Sequence, residues 1–461
     1  MRYLSLGDTD DISASCHHVT FGGTGLVLDA GMDPNQDGYA ALPPFELLKT
    51  RPVDHIVVTH AHHDHLGALP VLAREVPHAP IHVSRPTAML AEQLLPSSAR
   101  LQKRRVREGS TDAAPVFDVE TAEALGYVYD THLLDSPFSL AGERAEGPLS
   151  GTFYHASHVL GAVGLLVEGY ENGRRRRLFY TSDTSVRPQT ILPEADYPDG
   201  PVDVLLLEST LGADPEAEAV TRKSEQKRFG AALADVLERG GQALVPVFAL
   251  GRSQDVLAMI DQFKRQGTIP PDTPVYTAGA MRGIAEVYDK TRQSTPRLDP
   301  DFEVYNVDQL RLPRGGKKLN EAFSRPGIFV VTSGMLFEKT PSFSVAQRMV
   351  SDERNGIFFV GYSKEGSPGE RLQAAAAEED GKMVFDELEG PLPVRAQVER
   401  FRFSGHAHRR DLVDIVDRVQ PRAVVLVHGE TEAKAWMKEA IQEAHPDVTV
   451  HVPEQGQEIE L

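Results

Sequence analysis

A chain of 461 residues that is 41% hydrophobic is long enough for two or three globular domains, each with a core of its own. The formal net charge of −19 argues against a nonspecific polyanion binder, because contacts to phosphates need lysine and arginine in quantity. The only cysteine, Cys16, excludes disulfides within the chain and a cysteine-based zinc ribbon, and it predicts a reducing, cytoplasmic compartment.

The N-terminal residues 1–8 have no charged and then apolar leader, and no stretch approaches the ~20 apolar residues that cross a bilayer. We therefore expect a protein that is neither secreted nor bound in a membrane. Strand-like runs separated by turn signals follow up to about residue 31. Asp29 ends one of these runs, where its carboxylate could orient a metal-binding histidine or simply cap a turn.

The next element is an apolar run at residues 53–59, followed directly by His60, His62, Asp64 and His65. Zinc accepts imidazole nitrogen and carboxylate oxygen, and a loop after a buried strand can aim such groups at one point. The pair of His60 and His62 and the pair of Asp64 and His65 could bind two metal ions side by side. The alternative is a histidine-rich surface loop, but the spacing H-x-H-x-D-H is more specific than that.

Further candidate groups follow other predicted strands. His155 and His158 are both candidates for a third nitrogen ligand, and Asp183 and Glu208 each end an apolar run. His406 precedes a predicted helix at about 409–419, and His428 ends the strand that comes next. Acidic groups delivered repeatedly at strand ends predict one shared site at one edge of a sheet.

Between these groups, from about residue 212, strands alternate with longer helices, which predicts an α/β unit with a mainly parallel sheet. Glycine-rich turns at Ser333 and Gly334 and at residues 361–369 could offer backbone N–H groups to an anion, although such loops are common. We expect residues 1–211 to form the first part of one domain, 212–403 an insertion, and 404–461 the return to the first domain.

The order of these motifs resembles the β-CASP branch of the metallo-β-lactamase superfamily, a family of nucleic-acid-processing nucleases. The resemblance spans almost the whole chain and includes the connecting phrases at residues 157–162, 246–252, 332–335 and 427–430. It implies an αββα sandwich interrupted by an inserted β-CASP domain, with two zinc ions per chain. The phrase that follows His158 favours it over His155 as the ligand.

The resemblance also implies a role for each motif residue. One zinc would be held by His60, His62 and His158, the other by Asp64, His65 and His428, with Asp183 bridging both. A metal-activated hydroxide would attack phosphorus, His406 would protonate the leaving oxygen, and Glu208 would orient His406. Asp29 would act from behind the ligands. Weaker phosphate-binding candidates are Ser333, Gly334, Arg252 and Arg371.

Several positions depart from the family pattern. Residues 336–339 replace a glycine pair, Glu370 stands at an arginine position beside Arg371, and Leu211 stands where a tyrosine is expected. Arg402 occupies the position where exonucleases of the ribonuclease J type carry a histidine, so the chain resembles the 3′-end-processing endonuclease more closely. The metal positions are thus complete, while the phosphate side has changed.

The leading interpretation is a zinc-dependent ribonuclease that cuts single-stranded RNA, mainly as an endonuclease, in RNA processing or decay. One alternative is a lactamase-fold hydrolase of a small ester, thioester or phosphodiester, which the net charge and the altered turns favour. Another is a non-catalytic partner subunit of a nuclease. Dimers are common among related proteins, which leaves a homodimer open, but the sequence does not give the oligomeric state.

Overall fold

The computed structural model describes residues 1–7, 13–279, 281–313, 315–361, 363–385 and 390–461. The chain divides into two compact units. Unit 1 comprises Met1–Pro188, Leu192–Glu218 and His406–Leu461, and unit 2 comprises Gln189–Ile191 and Ala219–Gly405. Most of unit 2 is therefore one continuous segment inserted into the chain of unit 1.

The strands are short and are numbered in chain order. They are β1 (Arg2–Ser5), β2 (His17–Phe21), β3 (Thr24–Leu28), β4 (His55–Val58), β5 (Ile81–Ser84), β6 (Tyr129–His132), β7 (Phe138–Ser139), β8 (Leu149–His155), β9 (Val163–Glu171), β10 (Arg174–Tyr180), β11 (Val204–Glu208), β12 (Gln242–Pro246), β13 (Val275–Thr277), β14 (Leu310–Arg311), β15 (Gly327–Val331), β16 (Gly356–Phe359), β17 (Lys382–Val384), β18 (Pro391–Pro393), β19 (Gln397–Arg400), β20 (Ala423–Val427), β21 (Thr449–His451) and β22 (Glu458–Glu460).

The helices lie between these strands. They are α1 (His63–Leu66), α2 (Leu69–Glu75), α3 (Arg85–Arg107), α4 (Val119–Ala124), α5 (Arg222–Glu238), α6 (Arg252–Arg265), α7 (Met281–Lys290), α8 (Gly316–Ala322), α9 (Pro341–Met349), α10 (Pro368–Ala376), α11 (Arg409–Val419) and α12 (Thr431–Ala444). Short 3-10 segments occur at Gly38–Ala41, Phe45–Leu48, Leu125–Tyr127, Pro215–Ala219 and Val304–Asn306.

Unit 1 contains two seven-stranded sheets, in the orders β22-β1-β2-β3-β4-β5-β6 and β21-β20-β11-β10-β9-β8-β7. Strands β3 to β6 run parallel, as do β10, β11, β20 and β21, whereas β7 to β10 form antiparallel pairs. One apolar core fills the space between the sheets, with Phe21 and Val57 from the first sheet against Leu165 and Leu206 from the second. The two sheets therefore pack face to face.

Helices cover the outer faces of this sandwich. The helix α11 is amphipathic, and its buried residues Leu412, Ile415 and Val416 pack with Leu205 and Leu207 on the far side of β11. On the first sheet, α3 packs against β5 and β6. This order of layers confirms the predicted αββα sandwich.

Unit 2 is built on a six-stranded sheet in the order β14-β13-β15-β12-β16-β19, in which each described pairing is parallel. Its central strand β15 has the sequence GIFVV and is buried at each position, as expected of a strand covered on both faces. A separate two-stranded sheet pairs β17 with β18. The predicted insertion with a mainly parallel sheet is confirmed.

The sequence patterns located the amphipathic helices better than the ends of the strands. The helix expected at about 409–419 is α11, and the longer helices expected after residue 212 include α5 and α6. Strand β10 begins at Arg174 and ends at Tyr180, and its four successive arginines pair antiparallel with β9. None of the described helices has the length and apolar character needed to span a membrane.

The intersheet core gives a prediction about stability. Leu206 has no exposed surface and lies in the core between the two sheets, so Leu206→Ala should lower the free energy of unfolding by about 2–5 kcal/mol through lost burial and the cavity that remains. Urea unfolding of full-length protein would measure the change. The matched control is Leu101→Ala, at a leucine that is 45% exposed, which should change the free energy by less than about 0.5 kcal/mol. Equal effects of the two substitutions would contradict the assigned core.

Candidate metal centre

The candidate ligands of unit 1 all come from the carboxyl ends of strands. Each group follows or ends a buried strand: Asp29 after β3, His60 to His65 after β4, His158 after β8, Asp183 after β10, Glu208 at the end of β11, and His428 after β20. Strands β3 and β4 belong to the first sheet and β8, β10, β11 and β20 to the second, so residues far apart in sequence meet where edges of the two packed sheets come together. The sequence predicts a site at one edge of a single sheet, whereas these candidates come from both sheets.

A first group consists of three histidines and one aspartate. His62 Nδ1 lies 3.2 Å from His60 Nε2 and 3.0 Å from His158 Nε2. Asp183 Oδ2 lies 3.7 Å from His60 Nε2 and 3.5 Å from His158 Nε2. One ligand atom from each of these four side chains can therefore meet at a single cation.

A second group lies on the other side of Asp183. His428 Nε2 is 3.4 Å from Asp64 Oδ2, and His65 Nε2 is 3.4 Å from Asp183 Oδ2. His428 Nδ1 lies 3.3 Å from Asp183 Oδ1. Asp64, His65 and His428 can hold one cation together, and Asp183 reaches side chains of both groups.

The side chains of the two groups fit divalent metal ions. His65 Nε2 and Asp183 Oδ1 are buried polar atoms for which the described residues supply no hydrogen-bond partner. Buried polar atoms are rarely left in this state, and both are ligand atoms that point at their neighbours in the cluster. Imidazoles with carboxylates, and no thiolate, form a donor set that suits zinc and its borderline neighbours.

Electrostatics at the centre favour a cation. Burial opposes ionisation of Asp183, but the charges of His428, His65 and His406 hold the pKa of its carboxyl well below the usual range. Burial and the neighbouring His65 lower the pKa of His60 well below its usual value. A carboxylate and a neutral imidazole are the protonation states in which these groups bind metals.

Asp29 supports this centre from behind. Its carboxylate, which is fully buried, accepts hydrogen bonds from the Thr59 backbone N–H at 2.7 Å, from His65 Nδ1 at 2.9 Å and from the Tyr180 hydroxyl at 2.8 Å. The bond to Nδ1 places the proton of His65 there and leaves Nε2 facing Asp183. Of the two alternatives in the sequence, the geometry matches the orienting carboxylate.

Hydroxyl groups that the sequence patterns did not predict complete the hydrogen bonding around the candidate ligands. Thr59 Oγ1 bonds to Asp29 at 2.9 Å and to Ser182 Oγ at 2.6 Å, and Thr210 Oγ1 lies 2.9 Å from His428 Nδ1. Serine, threonine and tyrosine are common in strands, and no fixed spacing distinguishes those that orient a ligand. Position just before or after a predicted ligand is the one signal that could have found Thr59 and Ser182.

A pair formed by His406 and Glu208 stands beside the ligands. His406 Nδ1 donates to Glu208 Oε2 at 2.9 Å, and the Thr184 backbone N–H donates to Glu208 Oε1 at 2.7 Å. The ring of His406 lies against that of His158, with centroids 4.4 Å apart. Burial acts to lower the pKa of His406, but the charges of Glu208 and Asp183 outweigh it and raise the pKa to about 9.

The backbone at this edge is unusual. Asp29, Ser157, Ser182 and His428 have φ angles of 61°, 61°, 51° and 48°, in the left-handed region that favours glycine. Each lies at or just beyond the end of a strand. Non-glycine residues remain in such conformations when the surrounding structure fixes them, and they concentrate at functional sites.

The phosphate-binding candidates lie in unit 2 and differ in availability. Arg252 is buried, and its guanidinium donates to Asp255 at 2.9 Å and to Gln189 at 3.3 Å. Ser333 Oγ accepts from the Phe337 backbone N–H at 2.9 Å, and Gly334 packs against Phe248. Arg371 is exposed on α10. The turn at residues 361–369 includes Tyr362, which lies outside the described residues.

Three family models match separate parts of the chain. The model described as "Metallo-beta-lactamase superfamily" matches residues 10–208, "Beta-Casp domain" matches 253–372, and "Zn-dependent metallo-hydrolase RNA specificity domain" matches 391–453. The first match contains Asp29, the whole His60 to His65 motif, His158 and Asp183. Over these ranges the chain is similar to the metallo-β-lactamase superfamily, in the branch that carries the Beta-Casp domain.

Relatives of this chain include "Endoribonuclease YSH1" from Eremothecium gossypii, 28% identical over 95% of this chain and 56% of that protein. "Cleavage and polyadenylation specificity factor subunit 3" from Dictyostelium discoideum is 26% identical over 100% of this chain and 57% of that protein. "RNase J-like protein" from Methanocaldococcus jannaschii is 27% identical over 92% and 91%. The chain thus spans about half the length of the eukaryotic relatives and nearly all of the archaeal one.

The fold also matches a solved structure, the "Crystal Structure of a Protein of Unknown Function from Enterococcus faecalis V583". The two chains superpose with a TM-score of 0.55 at 13% sequence identity, over 100% of this chain and 99% of that one. This likeness concerns the fold alone.

The position of Asp29 gives a prediction about metal affinity. Asp29→Asn keeps the shape of the side chain but removes the charge that orients His65, so affinity for zinc should fall about 10- to 100-fold. Competition with a chromophoric chelator would measure the change. Asp33→Asn serves as the control, because the Asp33 carboxylate bonds to Asn35 and belongs to neither ligand group. Unchanged affinity in Asp29→Asn would rule out the orienting role.

Proposed function

We propose that this chain is a ribonuclease that hydrolyses phosphodiester bonds of single-stranded RNA and depends on two zinc ions. The observation that carries the proposal is the position of the His406–Glu208 pair directly beside two groups of candidate ligands, with Asp183 within 3.7 Å of side chains in both. A site that combines metal ligands with a charged, hydrogen-bonded histidine has the parts that phosphodiester hydrolysis needs.

The relatives support RNA as the substrate class. Two of them are named for endoribonuclease or RNase activity, and a third for a cleavage factor in polyadenylation. The match to an RNA specificity domain at residues 391–453 points in the same direction. Two observations favour endonucleolytic cutting. The Eremothecium gossypii relative is named an endoribonuclease, and Arg402 stands in place of the histidine expected of a 5′ exonuclease.

The ligand assignment follows the two groups. His60, His62 and His158 would hold one ion, Asp64, His65 and His428 the other, and Asp183 would contact both. Divalent ions at such a site supply positive charge to the phosphodiester and lower the pKa of a water molecule. The chain's own contribution is to fix these groups in position, with Asp29 orienting His65 and Thr210 bonded to His428.

His406 would protonate the leaving oxygen. Although burial opposes it, the adjacent Glu208 carboxylate raises the pKa of His406, which favours the protonated imidazole that a general acid needs. Glu208 accepts from Nδ1, which directs the other ring nitrogen away from the carboxylate. Glu208 is itself fixed by the Thr184 backbone N–H, so it acts as a positioning residue for His406.

Assembly and location complete the proposal. A homodimer is one assembly that the family resemblance allows. A cytoplasmic location stays a prediction from cysteine usage, because Cys16 is the only cysteine of the chain and has no partner with which to form an internal disulfide.

A circular single-stranded RNA tests the proposal sharply, since only an endonuclease can open a circle. Zinc-loaded wild-type protein should linearise it, and chelator treatment should abolish cutting until zinc is restored. His406→Ala should slow cutting by about 10²- to 10⁴-fold at unchanged zinc content, because it removes the proton donor and leaves the ligands in place. Gel analysis of the RNA and mass spectrometry of the metal would give both quantities.

His63→Asn is the matched control. His63 lies within the same motif but belongs to none of the candidate metal groups among the described residues, so this variant should cut at the wild-type rate. Equal cutting by wild-type and His406→Ala protein would contradict the role of His406. Hydrolysis of a chromogenic phosphodiester without any cleavage of linear or circular RNA would favour the small-molecule hydrolase instead.

A further inference from the structure

A second cluster of metal-binding side chains lies in unit 1 and shares no residue with the candidate metal centre. It runs across three neighbouring parallel strands, with His55 on β4, His82 on β5, and Asp130 and His132 on β6. We call these four residues the histidine ladder. Strand β6 forms the edge of its sheet, so the ladder runs from the interior of the sheet to its border.

The distances on the outer part of the ladder define a triangle of ligand atoms. His82 Nδ1 lies 2.8 Å from His132 Nε2, and Asp130 Oδ2 lies 3.5 Å from each of these nitrogens. A triangle with these sides contains a point about 2 Å from all three atoms, which is the length of zinc–nitrogen and zinc–oxygen bonds. The distances to Asp130 already match this arrangement, whereas the rings of His82 and His132 would move slightly apart as a cation replaced the hydrogen bond between them.

Hydrogen bonding accounts for only part of this geometry. The 2.8 Å contact between the rings of His82 and His132 has the length of a hydrogen bond. The 3.5 Å distances to Asp130 are too long for hydrogen bonds from ring N–H groups, but they match the spacing of about 3.4 Å between two ligand atoms of a tetrahedral ion. The carboxylate thus stands at ligand distance from both rings.

The inner part of the ladder fixes which nitrogen of His82 is free to bind. His55 makes a backbone hydrogen bond to Ala141, and its Nδ1 lies 2.9 Å from His82 Nε2. If the other ring nitrogen of His55 donates to the Ala141 carbonyl, Nδ1 accepts the proton of His82 Nε2. His82 Nδ1 then carries a lone pair that points at His132 and Asp130. Metal-binding histidines characteristically donate their second N–H in this way.

The surroundings hold the rings in place and leave the cluster open on one side. Phe138 stacks on His132, with ring centroids 3.8 Å apart and planes at 7°, and it also stacks on His82 at 5.3 Å. The side chain of His82 is 4% exposed, that of His132 15%, and that of Asp130 56%. A cation can therefore enter from solvent, and water can complete its coordination.

We propose that His82, Asp130 and His132 bind a divalent cation of the zinc class, at a site separate from the candidate metal centre, and that this ion clamps the edge strand β6 to β5. Two imidazoles and one carboxylate suit zinc, cobalt, nickel or copper rather than magnesium or calcium, which prefer oxygen ligands. An ion that binds only the folded chain also stabilises it, so the clamp strengthens a sheet border that would otherwise fray.

The experiment counts zinc in full-length protein prepared without a histidine tag. Protein stripped with a chelator is dialysed against buffered free zinc, and the bound metal per chain is measured by mass spectrometry. His132→Gln should bind one zinc fewer than wild type, and Asp130→Asn should bind the same ion at least ~10-fold more weakly. The wild-type melting temperature should rise with the zinc concentration over the range in which this ion binds, and the rise should be lost in His132→Gln.

The matched control is His78→Gln, because His78 is exposed in the same unit and its ring bonds only to the Val53 carbonyl among its described partners. It should keep the wild-type zinc count. Equal zinc counts and affinities in wild type, His132→Gln and Asp130→Asn would overturn the proposal and leave the ladder as a hydrogen-bonded stack. Asp130 is more than half exposed, so its replacement gives a result even if His132→Gln fails to fold. The candidate metal centre is intact in every variant, so the difference in count does not depend on the proposed nuclease function.

Discussion

The carboxylate of Asp29 is the contact on which the rest of unit 1 depends. It accepts hydrogen bonds from Thr59 and His65, which follow β4 of the first sheet, and from Tyr180 at the end of β10 in the second. One buried charge therefore joins the two sheets at the edge where the ligands meet. A buried carboxylate without hydrogen-bond partners would cost folding free energy, so Thr59, His65 and Tyr180 must all be in place around Asp29. Their hydrogen bonds position His65 directly, and through Tyr180 they position the end of β10, which Asp183 follows.

Burial then determines the chemistry that this edge can perform. His60, His65 and Asp183 are almost entirely removed from water, so interactions between their charges are stronger than at the surface. The neighbouring positive charges keep Asp183 ionised, whereas desolvation keeps His60 neutral. Despite burial, the pKa of His406 is raised instead, because the Glu208 carboxylate accepts a hydrogen bond from its Nδ1. Ligands and proton donor thus differ in protonation although they lie in one cluster.

Sequence patterns predicted the ligands better than their support. His60, Asp183 and His428 could be found because each follows an apolar run, and strand ends in an α/β fold converge. The hydroxyls of Tyr180 and Thr210 could not be found, since their roles depend on tertiary contacts that no spacing encodes, and the one signal for Thr59 is its place next to His60. Arg252 illustrates the converse: the motif suggested a phosphate contact, but Asp255 three residues later lies on the same helix face and binds its guanidinium. The ladder was likewise missed, because its histidines are 27 and 50 residues apart and meet only through strand pairing.

The left-handed backbone at Asp29, Ser157, Ser182 and His428 has a consequence for how this protein can be improved in the laboratory. Each of these residues sacrifices on the order of 1 kcal/mol of folding free energy that glycine would recover. At Asp29, glycine would relieve the backbone strain but would also remove the carboxylate that joins the two sheets, so it would not stabilise unit 1. At His428, glycine would remove a candidate ligand, so a thermostable variant that keeps the centre must gain its stability elsewhere.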